Sequence, residues 1–135
     1  MAGSRRKALK SLVNRPKILG FHSVMKRTGS VIELKESKRD EYVRLHAAIW
    51  PGVLQKIKEV NIRNYSIYLR KLDGKHYLFT YFEYIGDNFA EDMAKMAADP
   101  VTQEWWSVCK PCHEPLPDRA EGEWWAGMEE VFHLD

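Results

Sequence analysis

The first part of the chain combines a strand-like and a helical spacing of hydrophobic residues. Residues 28–35 are β-branched at their centre and predict a first strand. From Tyr42 onward the apolar residues recur every three or four positions, which predicts an amphipathic helix with Ser37 as its N-cap. Pro51 should end this helix and begin a second one that runs to about Val60.

The middle of the chain has the spacing of a β-hairpin. After Asn64 every second residue is apolar until Arg70, and residues 76–85 alternate in the same way. Between these segments lie Asp73 and Gly74, a pair that favours a two-residue hairpin turn. The sequence therefore predicts two antiparallel strands joined by a tight turn.

Two further helices and a final strand are predicted beyond the hairpin. Residues 87–97 carry apolar side chains at helical spacing and stop near Pro100, and a second helix follows over residues 101–109. Three prolines then predict an extended loop, and residues 128–134 predict the last strand. This order of β, α, ββ, α and β is typical of an α+β ferredoxin-like fold, the dimeric α+β barrel type, in which one antiparallel sheet carries helices on one face.

The hairpin strands are unusually rich in aromatic side chains, which include Tyr65, Tyr77, Phe79 and Tyr81. Helices can cover only one face of the predicted sheet. We therefore expect the other face to line a ligand cavity or to contact a second subunit.

Length and composition fit a single domain. The chain has 135 residues, of which 44% are hydrophobic, enough for one core and too few for two ordinary domains. Its longest apolar runs are far shorter than the roughly 20 residues that cross a bilayer, so we expect a soluble protein without a membrane partner.

The charges divide the chain into two parts. Residues 1–27 hold eight Lys or Arg and no acid, whereas the remainder holds 13 basic and 19 acidic residues. We interpret residues 1–25 as a basic, disordered extension and residues 26–135 as the folded domain. The alternatives for the extension are organelle targeting and a binding arm for nucleic acid or an anionic membrane. We prefer a cytoplasmic protein that binds no nucleic acid.

One phenol and one imidazole are spaced to act together. Tyr42 and His46 are four residues apart on a predicted helix, so both leave the same face about one turn apart. Imidazole can donate and accept protons near neutral pH. Tyr65 could send a second hydroxyl into the same pocket, and Trp105 and Trp106 could present an apolar face to a sugar ring. Taken singly, each of these residues is more often part of an ordinary core.

Other chemistry finds little support in the sequence. The chain contains no G-x-G-x-x-G, P-loop, H-E-x-x-H or G-x-S-x-G motif. Cys109, Cys112 and His113 match the short c-type haem attachment pattern, but no other feature supports export or a zinc site. We interpret the cysteines as two reduced thiols at a helix end, and a haem-binding protein is kept as an alternative. The second tryptophan pair, Trp124 and Trp125, is expected to lie in a lid, an interface or the core.

Four sequence blocks resemble the L-rhamnose mutarotase family. They are E-Y-x-x-x-H-x-x-I-W-P from residue 41, N-Y-x-I-Y-L from residue 64, W-W at residues 105–106 and E-E-V-F-H-L from residue 129. Together they extend over nearly all of the chain from Lys26 to Asp135. One departure is that Ala47 and Ala48 follow the histidine, where many members carry Asn-Pro.

The resemblance implies a small dimeric α+β protein that interconverts the α and β anomers of a 6-deoxy sugar without cofactor or metal. By this resemblance His46 is the proton donor, and the sugar is contacted by Tyr42, Tyr65, Trp105 and Trp106. The expected partners are a monosaccharide and a second copy of the chain. An L-fucose mutarotase and a sugar-binding module without catalysis are the alternatives.

Overall fold

The computed structural model describes residues 25–135, and the basic extension therefore lies outside the described residues. Five strands and four α-helices follow in the order β1 Lys26–Leu34, α1 Arg39–Ala47, α2 Pro51–Glu59, β2 Ile62–Leu72, β3 Lys75–Tyr84, α3 Phe89–Ala98, α4 Pro100–Cys109, β4 His113–Glu114 and β5 Ala126–Met128. In this part of the chain no helix has the length and apolar character that a membrane span requires.

The strands form one antiparallel sheet in the order β2, β3, β1, β4, and β5 also pairs with β1. The predicted hairpin is confirmed, since β2 and β3 pair from Leu72 and Lys75 outward. Its turn residues, Asp73 and Gly74, both have positive φ, at 50° and 81°, as the favoured two-residue hairpin turn requires. The predicted α+β class with one antiparallel sheet is confirmed as well.

One face of the sheet and the inner faces of the helices form the core. From Ser30 onward every second residue of β1 is buried, and Ile32 and Leu34 are 0% and 1% exposed. They pack with Tyr42 of α1, Val53 of α2 and Trp105 of α4. Burying side chains of this size removes water from apolar surface, which is the main stabilising contribution to such a fold.

Side-chain caps fix the beginnings of the last two helices. The Asn88 side chain accepts a hydrogen bond from the Glu91 backbone at the start of α3. Asp99 accepts from both the backbone and the hydroxyl of Thr102 at the start of α4, where Pro100 occupies the first turn. This cap fixes the start of α4, the helix that carries Trp105 and Trp106.

Two local predictions were wrong. Ser37 is not the N-cap of α1, because it lies inside a 3₁₀ turn over Glu36–Lys38 and the cap position falls on Lys38. The last strand is Ala126–Met128 rather than residues 128–134.

The backbone ladder to β1 stops at Gly29, the partner of Met128. Beyond it, contact with β1 continues through side chains, where Arg27 makes two hydrogen bonds with Glu130 of 2.9 and 2.8 Å. Val131, Phe132 and Leu134 are 87%, 79% and 79% exposed. Because these apolar side chains find no surface to pack on within residues 25–135, the alternating spacing alone did not make a strand here.

Candidate active site

Helix α1 places the phenol of Tyr42 and the imidazole of His46 in direct contact. Their ring centroids are 4.0 Å apart with 25° between the ring planes. His46 Nδ1 lies 2.9 Å from the backbone carbonyl oxygen of Tyr42. A carbonyl oxygen can only accept, so Nδ1 carries the proton and donates it to this bond. In the neutral ring, Nε2 is then left with a lone pair that can accept a proton.

The surroundings keep both groups uncharged at neutral pH. Burial lowers the pKa of His46 below its usual 6.5, and the hydrogen bond to the Tyr42 carbonyl opposes this only in part. Burial also raises the pKa of Tyr42 well above its usual 10, with smaller contributions from Tyr65 and Cys109. The pair therefore consists of a neutral imidazole and a neutral phenol that keeps its proton.

Two indoles lie next to this pair, one in contact with His46 and the other in contact with the first indole. Trp105 of α4 is 6% exposed and meets His46 edge to face with ring centroids 5.2 Å apart. Trp50, which precedes α2, packs on Trp105 at 5.1 Å in the same manner. We call these four residues, Tyr42, His46, Trp50 and Trp105, the inner ring cluster. Trp50 had not been predicted as a site residue, although the sequence places it four residues after His46 and directly before Pro51.

Tyr65 affects the inner ring cluster by helping to raise the pKa of Tyr42, whereas its ring contacts a residue outside the cluster. It lies at an irregularity in the β2–β3 register, between Arg63 and Ser66, and its ring contacts Phe82 at 5.7 Å. The residue as a whole is 42% exposed. Desolvation of its hydroxyl, together with the nearby Cys109 thiol, raises the pKa of Tyr65 to about 12.

A groove of about 570 Å³ lies beside the cluster. We call it the indole groove because its walls include Trp106 and Trp124, with Lys35, Lys110 and His113 also lining it. The Lys110 ammonium lies over both indoles, 4.9 Å from the Trp106 ring and 5.3 Å from the Trp124 ring. Of the five site residues expected from the sequence, all within the described residues, Trp106 lines this groove, and Tyr42, His46, Tyr65 and Trp105 do not.

His113 connects the indole groove with the inner ring cluster. Strand β4 carries it next to β1, where it is 6% exposed, and its ring lies 5.2 Å from Tyr42 and 5.1 Å from Trp125. Burial lowers its pKa to about 4, and His46 contributes to the same direction. The sequence had shown only a histidine among prolines, and its neighbours come from distant segments.

The structure thus links three of the predicted site residues through His46 and places the other two outside these contacts. The His46 ring contacts both the Tyr42 ring and the Trp105 ring. Trp106 faces the adjoining groove, and Tyr65 is coupled to Tyr42 through charge effects.

The cysteines are unsuited to haem attachment. Cys109 and Cys112 are free thiols with 4% and 1% exposure, and burial raises the pKa of each. A thiol must be accessible and partly ionised to react, and neither condition holds here. Nor do residues 25–135 contain a group of three or more His, Cys, Asp or Glu that could hold a metal ion.

Comparison with solved structures identifies the class of protein. The L-rhamnose mutarotase of Formosa agariphila superimposes with a TM-score of 0.61 at 22% identity, covering 82% of this chain and 99% of the other. The tetracenomycin F2 cyclase of Streptomyces glaucescens, a type-II polyketide cyclase, gives 0.58 at 14% identity and covers 82% and 97%. The chain is a ferredoxin-like α+β protein of the kind that forms dimeric barrels.

Sequence comparison identifies the family. The sequence model of the L-rhamnose mutarotases matches residues 27–134. Curated L-rhamnose mutarotases from Oceanobacillus iheyensis and Bacillus subtilis are 36% and 34% identical over 111 residues, which is 82% of this chain and all of each relative. The chain belongs to the L-rhamnose mutarotase family.

Proposed function

We propose that the protein is an L-rhamnose mutarotase, an aldose 1-epimerase that interconverts the α and β anomers of L-rhamnose without a cofactor. The observation that carries this proposal is the imidazole of His46. Its Nδ1 is held by the Tyr42 carbonyl at 2.9 Å, and the ring lies among aromatic side chains in a chain of the mutarotase family.

Mutarotation requires only proton transfer and positioning. In the opening step the anomeric hydroxyl gives its proton to His46 Nε2, the bond between C1 and the ring oxygen breaks, and a water molecule gives a proton to the ring oxygen. The aldehyde group then rotates and the ring closes on its other face, which returns both protons. General acid or base assistance of this kind is worth about 10² to 10⁴ in rate.

The arrangement of His46 suits both halves of this exchange. Because burial lowers its pKa, the imidazole is neutral at pH 7 and Nε2 can accept the first proton. The imidazolium that results becomes the proton donor of the closing step, the role that the family resemblance assigns to His46. Tyr42, whose pKa is raised, stays protonated and can donate a hydrogen bond to a sugar oxygen.

The remaining predicted residues are proposed as sugar contacts. Trp105 and Trp106 offer flat apolar faces for the C–H side of the ring and for the 6-methyl group, and the Tyr65 hydroxyl offers a further hydrogen bond. The support is that Trp105 contacts His46 and that Trp106 lines the indole groove.

The partner that we propose besides the sugar is a second copy of the chain, in the cytoplasm. The sheet face turned away from the helices includes Tyr68, which is 65% exposed, and the tail carries exposed Val131, Phe132 and Leu134. Apolar surface of this extent favours association. Two buried cysteines that form no disulfide agree with a reducing compartment. Analytical ultracentrifugation should give about twice the 15.8 kDa of one chain, and a single-chain mass would contradict the dimer.

Saturation-transfer NMR on an equilibrated mixture of L-rhamnose anomers tests the function. The protein should speed magnetisation transfer between the two anomeric protons well above the rate in buffer, and L-fucose under the same conditions serves as the comparison sugar. Faster exchange of L-fucose would indicate the alternative sugar. Calorimetric binding of L-rhamnose without faster exchange would indicate a binding module and would contradict the enzyme.

A further inference from the structure

The Nε2 atom of His113 is a buried polar atom without a partner. The residue is 6% exposed, and within residues 25–135 nothing forms a hydrogen bond with this nitrogen. Buried polar atoms are nearly always paired, because leaving one unpaired is costly. Because His113 also lines the indole groove, a ligand bound there is a candidate source of the missing partner.

The other nitrogen of the ring determines the chemistry of Nε2. Trp124 Nε1 lies 3.0 Å from His113 Nδ1. An indole nitrogen can only donate, so Nδ1 must accept and cannot carry a proton. The proton of the neutral ring then sits on Nε2, which is a hydrogen-bond donor in need of an acceptor.

The surroundings of His113 agree with a neutral donor rather than with a general base. Its pKa of about 4 keeps the ring uncharged at neutral pH, and burial is the main cause. Because Nε2 already holds the proton of the neutral ring, it has no free lone pair and cannot accept the anomeric proton. Its available role is to bind an oxygen atom.

The position of His113 matches the site proposed for the sugar. Its ring lies 5.2 Å from Tyr42, which stacks on His46. It also lines the indole groove together with Trp106, a proposed sugar contact. A sugar bound against Trp106 in the indole groove would bring its hydroxyl oxygens close to His113.

We propose that His113 is a further substrate-binding residue of the mutarotase site, whose Nε2–H donates a hydrogen bond to an oxygen of the bound monosaccharide. Trp124 acts on the sugar through His113, as a positioning residue that holds the ring in the required tautomer. This inference rests on the proposed function, since the monosaccharide is the ligand of that same site.

The test replaces His113 by two residues of similar size. His113→Phe keeps an aromatic ring but removes the donor, whereas His113→Gln keeps an N–H near the position of Nε2. The loss of one hydrogen bond should raise the KM for L-rhamnose about tenfold in His113→Phe. The kcat should change less than threefold, and His113→Gln should recover most of the loss. His76→Phe on strand β3 is the matched control and should leave KM unchanged.

A spectroscopic measurement covers the case in which a variant fails to fold. In the ¹⁵N-labelled full chain, the His113 ring should show a protonated Nε2 and an unprotonated Nδ1, and the Nε2 proton should shift when L-rhamnose is added. In Trp124→Phe the two tautomers should mix and the KM should rise. A merely structural histidine would give no shift with sugar.

The outcomes separate this inference from the proposed function. If the wild-type chain exchanges anomers but His113→Phe keeps its KM, or the Nε2 proton does not respond to L-rhamnose, the role of His113 is overturned and the enzyme stands. If the wild-type chain neither binds L-rhamnose nor exchanges its anomers, the function itself fails. An elevated KM in His113→Phe with recovery in His113→Gln supports the inference.

Discussion

Acid should destabilise this protein through His113. The buried imidazole has a pKa of about 4 in the folded chain, against 6.5 for an exposed one. Between these values the unfolded chain binds a proton that the folded chain does not, so the free energy of unfolding decreases as the pH falls from 6.5 towards 4. Each pH unit in this window changes the free energy of unfolding by about 1.4 kcal/mol.

The magnitude follows from the two pKa values. At pH 7 both states leave His113 neutral and the effect is close to zero. At pH 4.5 the unfolded state is almost fully protonated and the folded state only to about a quarter, which removes about 2 to 3 kcal/mol. This is a large fraction of the stability of a small domain, which is typically about 5 to 15 kcal/mol.

Urea unfolding at pH 7.0, 6.0, 5.0 and 4.5, followed by tryptophan fluorescence, measures the effect. His113→Phe cannot bind the proton, so the stability that it loses between pH 7.0 and 4.5 should be smaller than in the wild type by about 2 kcal/mol. The carboxylates contribute equally to both proteins and cancel in the difference, and the charge coupling between His46 and His113 is smaller than the effect of burial. Parallel pH profiles for the two proteins would show that His113 is not the group responsible.

Three further predictions concern the core, a cap and the pH dependence of exchange. In thermal unfolding, Ile32→Ala should lower the free energy of unfolding by about 2 to 5 kcal/mol. Val43→Ala, at a 44% exposed position, should change it by no more than about 0.5 kcal/mol. Equal losses in the two variants would contradict the packing of Ile32 in the core. Asn88→Ala removes the cap of α3 and should cost about 1 kcal/mol by the same assay. The anomer exchange rate should be constant around neutrality and fall below pH 6.5 as His46 is protonated, and a rate that rises in acid would argue against a neutral imidazole.

Local spacing was sufficient to predict most of the fold. The Asp73–Gly74 turn, the alternation on both sides of it and the helical spacing around Tyr42 each depend on neighbours within one or two turns of chain. For the same reason the contact between Tyr42 and His46 could be predicted, since a single helix brings both rings together.

The missed features depend on contacts between distant segments. His113 meets Tyr42 only because the short strand β4 pairs with β1, and its bond to Trp124 crosses a loop. A residue's partner across a sheet cannot be read from the spacing of hydrophobic residues. The wrongly predicted strand at residues 128–134 has the same origin, because within the part of the chain that the structure describes no strand pairs with these residues beyond Met128.

The exchange rate of L-rhamnose anomers in His46→Asn tests whether His46 Nε2 carries the proton transfer. Asparagine can still donate to the Tyr42 carbonyl from the position of Nδ1, but it has no counterpart of Nε2. With sugar at saturation, we predict a loss of about 10² to 10⁴ in exchange rate with binding retained, while His76→Asn matches the wild type. An exchange rate in His46→Asn equal to that of the wild type would show that His46 is not the proton-transfer group.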